Sequence, residues 1–173
     1  MENLWSPWRS KYIEDFKSPQ NSCDCFLCDA ILHLTEMQTI EAMQTTLIVY
    51  KTKFSFVILN KFPYNAGHIL VCPQSHKSDL KELSQDEYLD LTLLIRTATE
   101  IVKSIYNPHG YNLGLNNGSA GGAGVPGHLH FHIVPRWTGD TNFMTSIADV
   151  KVISQELSAT FDKYFSEFSK LEQ

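Results

Sequence analysis

The hydrophobic pattern changes period twice along the chain, and those changes divide it into elements. Residues 30–43 carry apolar positions at Ile31, Leu32, Leu34, Met37 and Ile40 with no period that separates helix from strand. Residues 46–51 and 54–59 are β-rich runs parted by the polar Thr52-Lys53, which predicts a hairpin. Pro63-Tyr64-Asn65-Ala66-Gly67 reads as a turn, and 68–72 as a third short strand that ends at Pro73. The clearest helix follows. Ser84 with Glu87 three residues on spells a capping box, and Tyr88, Leu91, Leu94, Ile95, Ala98, Ile101, Val102 and Ile105 keep one apolar face until Pro108 stops it. Residues 111–115 read as a strand, 116–127 as a loop, 128–134 as a strictly alternating strand and 135–145 as irregular. A terminal helix is expected over 154–171, with Leu157, Phe161, Tyr164, Phe165 and Phe168 on its buried stripe. Strands follow one another as hairpins rather than as βαβ units. The expected fold is therefore α+β, a mostly antiparallel sheet with a long helix packed across it and a helix at the C-terminal end.

Composition narrows the function classes. With 173 residues, 43% of them hydrophobic and 19% charged, the chain has the size and balance of one globular domain with its own core, and of neither a disordered nor a membrane chain. The net charge of −5 argues against a surface that wraps a nucleic-acid polymer, because that task leaves a basic footprint. No window approaches the run of about 18 apolar residues that a membrane span needs, and no secretory signal pattern opens the chain, so a cytoplasmic location with reduced thiols is expected.

Chemistry concentrates in one strand. Three of the seven histidines are His128, His130 and His132, and strand alternation puts their imidazoles on one side with Leu129, Phe131 and Ile133 on the other. Two readings are open. The three imidazoles bind a metal that activates water, or one of them is a nucleophile that attacks phosphorus while its neighbours orient it and hold phosphate oxygens. The loop just before the strand, Asn116-Asn117-Gly118-Ser119-Ala120-Gly121-Gly122-Ala123-Gly124-Val125-Pro126-Gly127, is neither a P-loop nor a dinucleotide fingerprint. Its glycines let backbone N–H groups approach an anion, which favours phosphoryl or nucleotidyl chemistry. A second cluster holds Cys23, Cys25 and Cys28. Cys25 and Cys28 have the two-residue spacing that lets both sulfurs reach one zinc, with Cys23 as an alternative ligand, while Cys72 reads as a core residue. His33, His68 and His109 read as surface or turn residues.

The segment from Asn116 through His128-Leu129-His130-Phe131-His132-Ile133-Val134 resembles the signature of the histidine triad (HIT) superfamily of nucleotide hydrolases and transferases. The run Leu59-Asn60-Lys61-Phe62-Pro63-Tyr64-Asn65-Ala66-Gly67-His68-Ile69-Leu70-Val71-Cys72-Pro73 looks like the nucleoside-side strand pair and turn of that family. The flanks Leu4-Trp5-Ser6-Pro7-Trp8-Arg9 and Pro135-Arg136-Trp137-Thr138-Gly139-Asp140 are similar to the branch with bacterial diadenosine tetraphosphate phosphorylases.

The resemblance implies cleavage at the α-phosphorus of a dinucleoside polyphosphate, with His130 as nucleophile and His128 and His132 beside it, and with water or phosphate as acceptor. Purine nucleoside phosphoramidase or general nucleotide hydrolase activity is the alternative within the family. A mononuclear zinc hydrolase and a non-catalytic nucleotide-binding module are the alternatives outside it. The resemblance further implies substrate contacts from Asn60 at the ribose and from Asn116, Gly122, Gly124 and Trp137. It implies a structural zinc on Cys25, Cys28, His76 and His128, and a homodimer joined edge to edge. Where many members place Ser, Thr or Gln before the first histidine, this chain has Gly124 and Val125, so loop amides would hold the phosphate. The organisation expected is one HIT domain: an N-terminal segment, 1–44, with the zinc site, a core, 45–137, and a C-terminal tail, 138–173.

Overall fold

The computed structural model describes residues 25–37, 39–141 and 155–172. The segment left without a period resolves into two helices, α1 (Phe26–Met37) and α2 (Ile40–Thr46). Leu27, Ile31 and Leu34 form the buried stripe of α1, and Thr39 caps α2 by accepting a hydrogen bond from the Ala42 N–H. Then come β1 (Ile48–Lys51), β2 (Ser55–Leu59) and β3 (Ile69–Pro73). The expected capping box is present at the start of α3 (Gln85–Tyr106). This helix ends where Asn107 turns left-handed, one residue before Pro108. β4 (Gly110–Leu115) and β5 (Phe131–Arg136) complete an antiparallel sheet of order β1-β2-β3-β5-β4, and α4 (Leu157–Phe168) closes the described chain with a 3-10 turn. The α+β architecture read from the pattern is the one observed. The N-terminal tryptophans, Cys23 and the stretch from Asn142 lie outside the described residues.

Both faces of β2 and β3 are buried, and the two sets of side chains meet different helices. Val57, Leu59, Ile69, Val71 and Ile133 join α3 and α4 in one core, with Leu91 and Val102 fully buried. Phe56, Ile58, Leu70 and Cys72 join α1 and α2 in a second. Burial pushes the Cys72 thiol well up, so it stays a protonated apolar filler, as its isolated position suggested. Truncation of Leu91 to Ala would cost about 2–5 kcal/mol, the range for cavities in a closed core.

The site follows from an asymmetry between these layers. β5 pairs with β3 so that Leu70 lies opposite His132 and Ile69 opposite Ile133. His132 therefore faces the α1 side and Ile133 the α3 side. The helical cover on the α1 side rests on β1 to β3, so the histidine side of β5 opens into a cleft.

The turn before β3 is anchored from three directions. Tyr164 on α4 donates its hydroxyl to the Gly67 carbonyl at 2.6 Å, and Asn65 donates to the Pro135 carbonyl and the Asp140 carboxylate. Arg136 grips the same carboxylate and holds it well below the usual range. At Gly67, φ is +75° and an added Cβ would meet the Tyr106 ring at 2.6 Å, so a side chain there would be both strained and crowded.

Candidate active site and metal centre

The strand expected over 128–134 begins at Phe131 and runs to Arg136. The residues before it leave the sheet because their N–H groups have other acceptors: His128 donates to Val125, and Leu129 to Lys77 at 2.7 Å. The alternation survives the change. Leu129 and Ile133 are buried in the core and Phe131 packs against it, as expected. His128 and His130, however, are 1% and 5% exposed. They point away from the α3 core, His128 into a closed corner and His130 to the floor of the cleft, and each has its own partner.

Backbone partners assign the tautomer of each imidazole, since a carbonyl only accepts and an amide N–H only donates. His130 donates Nδ1–H to the His128 carbonyl at 2.8 Å, which leaves the Nε2 lone pair for the cleft. His128 donates Nε2–H to the Pro73 carbonyl at 2.8 Å, which turns its Nδ1 lone pair toward the sulfurs of Cys25 and Cys28, each 3.4 Å away.

At His132 the assignment comes through a neighbour. His68 Nδ1 accepts from the Tyr64 N–H at 3.0 Å, so its proton sits on Nε2 and is donated to His132 Nδ1 at 3.0 Å. His132 then carries its own proton on Nε2. Burial lowers the pKa of both His128 and His130, against the pull of their carbonyl partners, and so favours the neutral imidazole at each.

His68 corrects the sequence reading. It is 2% exposed and fixes His132, rather than lying at the surface. It lies one residue before β3, two residues from Leu70, which lies opposite His132, so its role follows from the β3–β5 register. Tyr64 was missed as well. Its ring is stacked on His132 at 5.6 Å and 12°, and it closes over His68 at 4.7 Å. His33 and His109 are exposed, and His109 accepts from the Thr138 N–H.

The cleft has a volume of about 320 Å³ and is lined by His130, His132, Asn60, Asn116, Ser119, Gly122, Gly124 and Val125, with Phe26, Phe62, Tyr64 and Leu70 as apolar walls. It therefore gathers every substrate position expected from the sequence except Trp137, whose ring stands edge-on to Tyr106 outside the lining. Asn60 is held by its own loop, accepting from the Phe62 N–H at 2.9 Å.

The glycine loop closes partly on itself. The Gly122 and Ala123 N–H groups turn back to the Ser119 and Gly118 carbonyls, and a Cβ at Gly121 would come 2.3 Å from the Asn117 carbonyl oxygen. The turn is tight, and it presents the side chain of Ser119 beside Asn116 as a polar group that sequence reasoning missed. A second cavity of about 670 Å³ adjoins the cleft across Phe26, Asn60, Phe62 and Leu70.

Cys25, Cys28, His76 and His128 come together from α1, the segment after β3 and the approach to β5, with one ligand atom from each lying within 4.8 Å of the others. Cys28 Sγ is 3.1 Å from His76 Nδ1. A tetrahedral zinc with ordinary bonds of about 2.3 Å to sulfur and 2.0–2.1 Å to nitrogen sets sulfur and nitrogen about 3.5 Å apart. The donors thus match zinc in type and spacing. They form a closed set of four, the arrangement of a structural rather than a catalytic metal. His130 and His132 are not in this cluster, so the three strand histidines are not arranged as one metal's ligands.

Residues 41–139 match the profile of the HIT domain. A phosphorylase from Mycobacterium tuberculosis (strain H37Rv), named AP-4-A phosphorylase, is 35% identical over 163 residues, which are 92% of this chain and 80% of that protein. The bis(5'-nucleosyl)-tetraphosphatase [asymmetrical] of Schizosaccharomyces pombe is 34% identical over 93 residues, 54% of this chain and 50% of that protein. Among solved structures, a Zn-bound histidine triad family protein from Mycobacterium smegmatis superposes with a TM-score of 0.59 at 20% identity, covering 73% of this chain and 86% of that one.

Proposed function

The chain belongs to the HIT domain family, and from that premise we propose that it is a nucleotide hydrolase or nucleotidyltransferase that cleaves dinucleoside polyphosphates at the α-phosphorus. The observation that carries this reading is the hydrogen bond from His130 Nδ1–H to the His128 carbonyl, which leaves Nε2 unprotonated beside Asn116 and Ser119.

The Nε2 lone pair forms a bond to the α-phosphorus, and the bond from that phosphorus to the bridging oxygen breaks, its electron pair leaving with the departing phosphate chain. An oxygen of water or inorganic phosphate then attacks the nucleotidyl-histidine. The phosphorus–nitrogen bond breaks, its pair returns to Nε2, and the proton carried by an attacking water is released to solvent. His132, with its proton on Nε2, donates a hydrogen bond to phosphate oxygens as charge shifts onto the leaving group. Asn60 offers donor and acceptor together, which suits a vicinal diol of ribose, and the second cavity takes the nucleoside beyond it. Trp137, outside the cleft, is the proposed contact for substrate that extends past the reacting phosphate.

Cys25, Cys28, His76 and His128 would hold zinc, which when bound supplies a cross-link between α1, the end of β3 and the triad. Reduced thiols suit a cytoplasmic location. Among the described residues no helix is long and apolar enough to cross a membrane. β4 lies at the end of the sheet with Tyr111 and Leu113 exposed, which supports a homodimer joined along that edge.

Diadenosine tetraphosphate incubated with and without inorganic phosphate tests the reaction, with products separated by chromatography. ADP plus ATP formed only with phosphate identifies a phosphorylase, and AMP plus ATP a hydrolase. No cleavage under either condition, with AMP still bound, would leave the nucleotide-binding module in its place.

A further inference from the structure

The two histidines of the metal centre are steadied in different ways. His128 is buried, and its second nitrogen donates to the Pro73 carbonyl, the usual device for aiming a metal-binding imidazole. His76 is exposed, and its Nε2 faces the backbone at Gly127, where an added Cβ would come within 3.2 Å. No carbonyl or carboxylate aims this ring among the described hydrogen bonds, so its aim depends on the turn that carries it.

One carboxylate brackets that turn. Glu87 Oε1 accepts from the Ser75 hydroxyl at 2.7 Å, and Oε2 accepts from the Lys77 ammonium at 2.6 Å and from the Ser84 N–H at 2.7 Å. Ser75 and Lys77 are the two chain neighbours of His76. Lys77 also accepts the Leu129 N–H through its carbonyl, one residue from His128. A capping box needs only the Ser84 contact. The other two contacts of Glu87 do nothing for the helix end and fix the His76 turn.

We propose that Glu87 is a positioning residue of the metal centre, acting through Ser75 and Lys77 to hold His76 where Cys25, Cys28 and His128 converge. This rests on the zinc reading of those four residues. An exposed imidazole that must otherwise be immobilised on binding loses side-chain and backbone freedom, and a turn already held in place removes part of that loss.

The test is zinc affinity of the full chain, by competition with a chromophoric chelator, with the ligand-field absorption of the cobalt(II) form as the spectroscopic readout. Glu87→Ala is expected to weaken zinc by about 10-fold or more, the size of effect seen when an outer-shell partner is removed, and to broaden the cobalt bands. Ser84→Ala loses the cap contact to the Glu87 N–H but keeps the carboxylate on Ser75 and Lys77, so its affinity stays at the wild-type value. Should Glu87→Ala fail to fold, Ser75→Ala combined with Lys77→Met leaves the cap intact and weakens zinc in the same way. Wild-type affinity in Glu87→Ala or in the double variant overturns the proposal, as does an equal loss in Ser84→Ala, which would reduce Glu87 to helix stability. Failure of the wild type to bind zinc overturns the metal reading itself.

Discussion

His128 and His130 are two residues apart and both buried, yet one belongs to a closed corner and the other to an open cleft. At the corner, His128 Nδ1 meets two sulfurs, and four donors enclose the space between them. In the cleft, His130 Nε2 meets a cavity lined by Asn60, Asn116, Ser119 and His132. Side-chain type does not separate the two roles. What separates them is which nitrogen a backbone carbonyl takes: Pro73 claims Nε2 of His128, and His128 claims Nδ1 of His130. The corner's own carbonyl therefore aims the proposed nucleophile, and the two regions are joined by one hydrogen bond.

The largest effect expected is on the cleft alone. His130→Ala should lower kcat/KM by about 10⁴-fold or more while thermal stability and AMP binding persist, in line with the loss of a covalent nucleophile. Turnover within about tenfold of wild type would place the nucleophile elsewhere. His68→Ala removes the donor that fixes the His132 tautomer, and should lower kcat by about 10²-fold with little change in KM. A change confined to KM would make His68 a binding residue instead.

At the corner, Cys28→Ser or chelation should lower Tm by about 10 °C, on the order of 3 kcal/mol for a chain of this size, and should slow turnover only as the aim of His130 is lost. Abrupt loss of activity on chelation with Tm unchanged would contradict the division into corner and cleft. Ser119→Ala should raise KM by about 5-fold with kcat nearly kept, the loss of one hydrogen bond to phosphate.

The smallest effect is in acid. Lys77 above all, with Ser84 and Ser75, lowers the Glu87 carboxyl to about 2, so its folded pKa lies below the unfolded one. Its contribution to stability is present above the ordinary carboxylate range and fades as pH falls toward 2. Acid unfolding curves of wild type and Glu87→Gln should therefore converge between about pH 4 and 2, and parallel curves would deny the clamp.

Much of the cleft was legible because local rules and tertiary structure agree there. The capping box of α3, the hairpin of β1 and β2 and the alternation around Ile133 each follow from side chains close in sequence. α1 and α2 were not legible, since the exposed apolar residues Leu32, Met37 and Ile40 blur the buried stripe and the short α2 relies on its Thr39 cap. His68 and Tyr64 escaped because their meaning lies in the β3–β5 register, and Glu87 because a cap contact explained it too early. The His128 tautomer could not be read, because Pro73 is 55 residues from His128 in the chain.

The most direct test of the account is acid quench of the enzyme during turnover of labelled diadenosine tetraphosphate, with the adduct mapped by peptide mass spectrometry. A nucleotidyl group on His130, absent from His130→Ala and released by water or phosphate, is the predicted result. Label on His128, His132 or another residue, or steady turnover with none captured at any quench time, would contradict it.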